Sequence, residues 1–195
     1  MADTVTVDIF RHAKADPKPH LDRLRTLSDK GREQALQLKL ALGRPTYDLV
    51  IASPALRAVQ TAALLTGRGE SEVITIPELH WEYNPEFAAA MDGWYPRLTG
   101  KTPSAYYAEP NGALLCAHNE RARETVWAKI VERKAAHVSI TSHAVLAPGL
   151  GQAFCSNNRP MIAFLDLNLP EAAGFRMVID RELGLALQVE SLTHT

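Results

Sequence analysis

Short β-branched and apolar runs alternate with stretches patterned for helix along most of this chain. The runs cover residues 5–10, 47–52, 73–76 and 138–141. A strand that rejoins its sheet after a helical crossover lies parallel to the one before it. The alternation therefore predicts an α/β fold, a three-layer α/β/α sandwich with a mainly parallel sheet. Residues 161–167, 175–179 and 185–189 read as further strands, divided by Asn168-Leu169-Pro170 and Arg181-Glu182-Leu183-Gly184. These extend one side of the sheet and supply an antiparallel edge strand. At 195 residues the chain fits a single domain over 1–195, with a lid-like insertion at about 83–118.

Parallel strands share a carboxyl edge, and ligands of open α/β sheets bind beyond that edge. Three of the runs end there in reactive or charged residues. The first breaks into Arg11-His12, a cation and an imidazole that are costly to bury without a partner. An anion neutralises Arg11, and a phosphate does so bidentately. His12 is then a candidate nucleophile that takes a phosphoryl group on one ring nitrogen. The second run passes into Ser53-Pro54, which reads as an N-cap and first helical residue of a helix ending near Gly67. Arg57 lies in its first turn, where a cation is misplaced unless an anion is near. The fourth run ends in Ser142-His143. Topology thus brings Arg11, His12, Arg57 and His143 to one edge.

Residues 14–27 are polar and read as a loop. Ser28 reads as the N-cap of a helix whose apolar face is Ala35, Leu36, Leu38, Leu40, Ala41 and Leu42, closed by Gly43. Behind the third run comes Pro77-Glu78-Leu79-His80-Trp81-Glu82, dense in carboxylates and imidazole. Residues 85–118 carry Pro85, Pro96, Pro103 and Pro110 and read as a cover over the crevice with only short helical stretches. His118 reads as a solvated residue opening the next helix, with Asn119 as its cap and Val126 and Ile130 on its buried face.

A net charge of −1 gives no reason to expect nucleic acid or an acidic membrane as a partner. No apolar run approaches the ~18 residues of a membrane span, and no secretory signal is evident, so a cytoplasmic protein is the expectation. Cys116 and Cys155 form no close-spaced motif and read as buried, inert thiols. The histidines lack metal-ligand spacing, so neither a metal nor another cofactor is expected.

Taken together, these segments resemble the histidine phosphatase superfamily in its phosphoglycerate-mutase-like branch. Arg11-His12-Ala13 resembles its Arg-His-Gly or Arg-His-Ala motif. Leu27-Ser28-Asp29-Lys30-Gly31-Arg32-Glu33-Gln34-Ala35 resembles its Leu-Thr-x-x-Gly-x-x-Gln-Ala helix opening. Ser53-Pro54-Ala55-Leu56-Arg57-Ala58-Val59-Gln60-Thr61-Ala62 is similar to its Ser-x-x-x-Arg-Ala-x-x-Thr-Ala segment, and Thr141-Ser142-His143 to its Ser-His-Gly. Arg-His-Ala-Lys-Ala further resembles phosphohistidine-phosphatase-like members. Ala144 stands where many members have glycine. The family's Leu-x-Glu acid is not matched in register, so Glu78 and Glu82 are both candidates.

The resemblance implies phosphomonoester or phosphohistidine hydrolysis through a phosphohistidine on His12, with Arg11, Arg57 and His143 binding the phosphoryl oxygens. His12 must be neutral to attack, which calls for its other nitrogen to donate to a backbone carbonyl. His143 is expected to serve protonated. Glu78 or Glu82 would give the leaving oxygen its proton. A small phosphorylated substrate or a phosphoprotein is the implied partner. The alternatives are a phosphoglycerate-type mutase and a phosphate-binding module with little turnover.

Overall fold

A computed structural model of the chain describes residues 3–18, 21–155 and 164–192. Its sheet has the order β3-β2-β4-β1-β5-β6, with β1 at Thr4–Arg11, β2 at Leu49–Ala52, β3 at Ile74–Thr75, β4 at His137–Ser142, β5 at Gly174–Asp180 and β6 at Leu185–Leu192. Strands β3, β2, β4 and β1 are mutually parallel. Strand β5 is antiparallel to both β1 and β6, so the antiparallel member lies inside the sheet and β6 forms the edge. A hairpin whose last strand lies outermost cannot put its antiparallel first strand at the rim. The strand expected at residues 161–167 is not formed where the chain is described. Residues 164–167 are 3-10, turn and coil, and 161–163 lie outside the described residues.

Helices cover both faces. Helices α1 (Asp29–Ala41) and α2 (Leu56–Thr66) pack together on one side, and α5 (Gly112–Arg133) and α6 (Leu146–Ala153) on the other. The alternation of β1 explains the two layers. Val5, Val7 and Ile9 join Val126, Ile130, Leu150 and Phe154 in one cluster. Phe10 joins Ala35, Leu38 and Leu65 in another. With both faces covered, β2 is buried at every position and reads as a continuous apolar run.

The helices differ in detail from their sequence patterns. Ser28 caps α1 by accepting from Gly31 N–H at 3.2 Å. Only Gly31, Ala35 and Leu38 of that helix are buried, while Leu36 and Leu40 are exposed. Leucines spaced two apart point 200° apart on a helix of about 3.6 residues per turn, so the even-numbered run cannot share one face. Residues 85–118 are more helical than expected: α3 spans Pro85–Leu98, α4 spans Pro103–Tyr107, and α5 starts at Gly112. Asn84 caps α3 through Oδ1, and Pro96 falls within its final turn. Phe87, Met91, Trp94, Tyr106, Leu115 and Leu146 form a separate cluster that ties these helices to α6. The earlier start of α5 turns His118 and Asn119 inward and Cys116 outward. His118 stacks at 4.3 Å on the Phe87 ring, Asn119 Nδ2 donates to Tyr107 Oη at 2.8 Å, and Cys116 is exposed. His118 is therefore no solvated cap. Cys155 is buried, its Sγ donating to the Gly151 carbonyl. Among the described residues no helix is long and apolar enough to cross a membrane.

Gly31 explains the glycine of the α1 opening. A Cβ there would sit 2.0 Å from the Lys14 carbonyl oxygen. The same carbonyl accepts from Ser28 N–H, and Lys14 N–H donates to Gln34 Oε1. Ser28, Gly31 and Gln34 thus form a clamp on the loop that follows His12. Gly31→Ala is expected to force that loop outward and cost ~2 kcal/mol, as overpacking does. In a chain of this size the shift should read as a melting temperature lower by about 4–8 °C in a thermal scan.

Candidate active site

The β1–β4 and β2–β4 registers assemble the site. Arg11 pairs with Ser142, and Ala52 with Thr141. The next residues, His12, His143 and Ser53, therefore leave three adjacent strands at one level. His12 N–H donates to the Ser142 carbonyl and Ser53 N–H to the Thr141 carbonyl, each at 2.9 Å. The His12 and His143 rings meet edge to face, 5.2 Å apart.

Arg57 lies between them, 4% exposed, in the first turn of α2. Its Nε donates to His12 Nε2 at 3.0 Å and its Nη2 to His143 Nδ1 at 3.1 Å. A guanidinium can only donate, so both imidazole nitrogens are acceptors and each ring carries its proton on the other side. His12 Nδ1 accordingly donates to the Ala13 carbonyl at 2.8 Å, and His143 Nε2 to Ser53 Oγ at 2.9 Å. His12 has the tautomer a nucleophile requires. Burial and then the charge of Arg57 bring its pKa down to about 3. Burial, followed by Arg57 and the neighbouring imidazoles, also holds His143 well below the ordinary histidine value. With Nδ1 accepting from Arg57, the His143 ring is held here as the neutral imidazole.

Ser53 is not the helix cap its sequence suggests. Helix α2 begins at Leu56 with Ala55 as N-cap, and Ser53 is turned toward His143. Two further residues of the segment support the loops around His12. Thr61 Oγ1 accepts from Ala13 N–H, and Gln60 Oε1 accepts from Leu27 N–H.

Arg11 stands apart from this cluster. Its Nη1 donates to the Leu169 carbonyl at 2.7 Å, and its Nε is buried with no hydrogen-bond partner among the described residues. Burial lowers its pKa, against the favourable charge of Glu171 and Tyr95. It lies close enough for its charge to disfavour protonation of His12.

The two candidate acids are not brought to the imidazoles. Glu78 Oε1 accepts from Thr125 on α5 at 3.2 Å, and Glu82 is exposed. The physical reason lies in two successive 3-10 turns, Pro77–Leu79 and Trp81–Tyr83, whose tight winding leaves His80 facing the crevice. His80 is 3% exposed, with its ring 4.9 Å from that of His143.

The carboxylate at the site is instead Asp22, from the loop before α1. Its Oδ2 lies 2.7 Å from Arg57 Nη2 and 3.6 Å from His80 Nε2, and its backbone carbonyl accepts from Arg57 Nη1. Arg25 holds the other carboxylate oxygen at 3.4 Å. Burial alone would raise the Asp22 pKa, but His80 and Arg57 outweigh it and keep the group well below the carboxylate range. Asp22, Ser53 and His80 are thus site residues that sequence patterns did not assign. Asp22 carries no local signal: it is an acid in a polar loop, and only the fold folds that loop back over Arg57.

The sequence profile of the histidine phosphatase superfamily (branch 1) matches residues 9–182. The chain belongs to this superfamily. Among curated proteins, none matches it by sequence. Solved structures share its fold at low identity. The protein histidine phosphatase SixA complexed with tungstate is 18% identical, with 96% of this chain and 97% of that chain covered and a TM-score of 0.63. The phosphoglycerate mutase of Bacillus anthracis str. Sterne is 16% identical, covering 97% and 93%, with a TM-score of 0.64. The alpha-ribazole phosphatase of Shigella flexneri is 19% identical, covering 97% and 96%, with a TM-score of 0.61.

The lowered imidazoles predict that the fold loses stability in acid. Unfolded, its histidines bind protons near pH 6.5. Folded, His12 does so only at about 3 and the buried His118 at about 4. Between those values the unfolded chain holds more protons, so stability rises with pH and is lost on acidification. The melting temperature should fall steadily from pH 7 to pH 4, and His118→Gln should reduce the slope. A flat profile across that range would contradict the neutral, buried assignment.

Proposed function

We propose that this crevice hydrolyses a phosphoryl group, without metal or other cofactor, through a phosphohistidine on His12. The observation that carries the reading is the pair of His12 contacts, Nδ1 on the Ala13 carbonyl and Nε2 on Arg57, with the His143 ring alongside. The Nε2 lone pair is thereby aimed at the point where two cationic or polar arms converge. Arg57, with Arg11 and His143 around it, neutralises the phosphoryl oxygens and the charge that develops on them.

Before substrate arrives, Asp22 fills this role of anion. A phosphoryl group takes the place of its carboxylate, and Arg57 turns from Asp22 and His12 to the phosphoryl oxygens. The freed Nε2 lone pair attacks phosphorus in line as the bond to the leaving group breaks, its electron pair departing with that group. Water then attacks phosphorus, the P–N bond breaks, and the proton lost by water leaves on the phosphate.

The position of Glu78 on Thr125 and the exposure of Glu82 support a substrate whose leaving group departs with little help from an acid. The imidazole of a phosphohistidine and a phenol have this property; an alkoxide does not. The reading is therefore phosphatase action on a phosphoprotein or a small activated phosphate. Residues 83–118 supply the wall beyond the phosphate, with Tyr95 of α3 within electrostatic reach of Arg11.

Two experiments test this. With p-nitrophenyl phosphate, His12→Ala should lose at least ~10³-fold in kcat, and 32P should be trapped on His12 of the wild type; undiminished turnover excludes the nucleophile. Phosphoryl transfer to a second position of the substrate, in place of free phosphate, would indicate the mutase. Separately, Asp22→Ala should tighten the binding of inorganic phosphate measured by calorimetry, because the competing carboxylate is gone.

A further inference from the structure

Among the buried donors without a partner in the described residues, one stands beside His143 and has no part in the mechanism above. His80 Nε2 has no hydrogen-bond partner among the described residues, although the side chain is 3% exposed. Native proteins rarely leave such a group unpaired, and an exception calls for an explanation. The ring is held firmly. Its Nδ1 accepts from Glu82 N–H at 3.2 Å, which leaves the ring proton on Nε2. One side of the ring stacks on Trp81, at 5.5 Å and 22°, and the other meets His143 edge to face. The preceding residue is fixed to the strand edge, since the Leu79 carbonyl accepts from Ser142 Oγ at 3.1 Å.

The proton so fixed is directed at Asp22 Oδ2, 3.6 Å away, too far for a formed hydrogen bond. That same oxygen is 2.7 Å from Arg57 Nη2. An oxyanion in this place is therefore fully bonded to the guanidinium and only approached by the imidazole. A carboxylate offers two oxygens in a plane, whereas a phosphoryl group offers three in a tetrahedral or trigonal array. We propose that His80 Nε2–H is a catalytic donor to a phosphoryl oxygen, completing its contact when the phosphoryl group replaces Asp22. This inference rests on the phosphohistidine reading and adds to it a contact that strengthens as phosphorus becomes five-coordinate. No proton is transferred by His80; it donates a hydrogen bond throughout.

The test compares wild type, His12→Ala, His80→Phe and His80→Gln. Phenylalanine keeps the ring between Trp81 and His143 but removes the donor. Glutamine restores an N–H near the place of Nε2. Loss of one preorganised donor of this kind typically costs ~10²-fold in kcat. His80→Phe should lose about that much in kcat on p-nitrophenyl phosphate with little change in KM. It should bind orthovanadate, a five-coordinate mimic, at least ~10-fold more weakly while inorganic phosphate binding changes little. His80→Gln should recover much of both losses. The melting temperature of His80→Phe checks that the fold is intact. A folded His80→Phe with wild-type kcat and vanadate affinity overturns the His80 assignment alone. Should the wild type turn over p-nitrophenyl phosphate no faster than His12→Ala, the phosphohistidine reading fails instead.

Discussion

One guanidinium sets the protonation pattern of the whole crevice. Arg57 donates to His12, to His143 and twice to Asp22, and it has no capacity to accept. Each imidazole must therefore turn a lone pair toward it and carry its proton outward, to the Ala13 carbonyl in one case and to Ser53 in the other. The tautomer needed for nucleophilic attack follows from this, while burial first and the Arg57 charge second keep the basicity of both rings low. A buried cation also needs an anion. Asp22 meets that need from within the chain, and the helix dipole at the start of α2 adds to it by disfavouring a cation there without one.

The spacing of the chain's motif segments is explained in large part by what surrounds His12. Ser28, Gly31 and Gln34 hold Lys14. Thr61 holds Ala13, and Gln60 holds Leu27. Of the segment at residues 53–62, Arg57 reaches both imidazoles and Ser53 reaches His143. Several motif residues thus fix the backbone turns around His12, and a residue on a strand end is placed only as well as the loop that leaves it. Rigid placement of this sort is what a preorganised site requires.

Much of this was legible in the sequence, and the reason is topological. Parallel strands align their carboxyl ends, so the residues after residues 5–10, 47–52 and 138–141 had to meet, and His12, Arg57 and His143 do. The layer order and the parallel core of the sheet followed from the same alternation. What was not legible depends on phase within short turns. Glu78, His80 and Glu82 are close in sequence, and no periodicity says which one faces inward when two 3-10 turns follow each other. The helices of residues 85–118 were obscured by prolines that in fact occupy first turns, at Pro85 and Pro103, where a missing N–H costs nothing. Asp22 was hidden for a different reason: its partners are remote, and a polar loop gives no indication of where it folds back.

The orientation of Glu78 and the presence of Asp22 bear on each other. A carboxylic acid that protonates a leaving group must hold a proton at working pH, which requires a site poor in positive charge. The space around His12 is the opposite, with Arg57 and Arg11 both lowering the basicity of that imidazole. The carboxylate that does lie there, Asp22, is held in its charged form by His80 and Arg57. Glu78 is instead bonded to a threonine hydroxyl on α5. A crevice built in this way stabilises negative charge on phosphorus strongly and offers a departing oxygen little acid. On the proposed reading, such a crevice suits phosphoryl groups on good leaving groups, and discrimination among substrates falls to the bond that breaks as much as to the wall of α3 and α4.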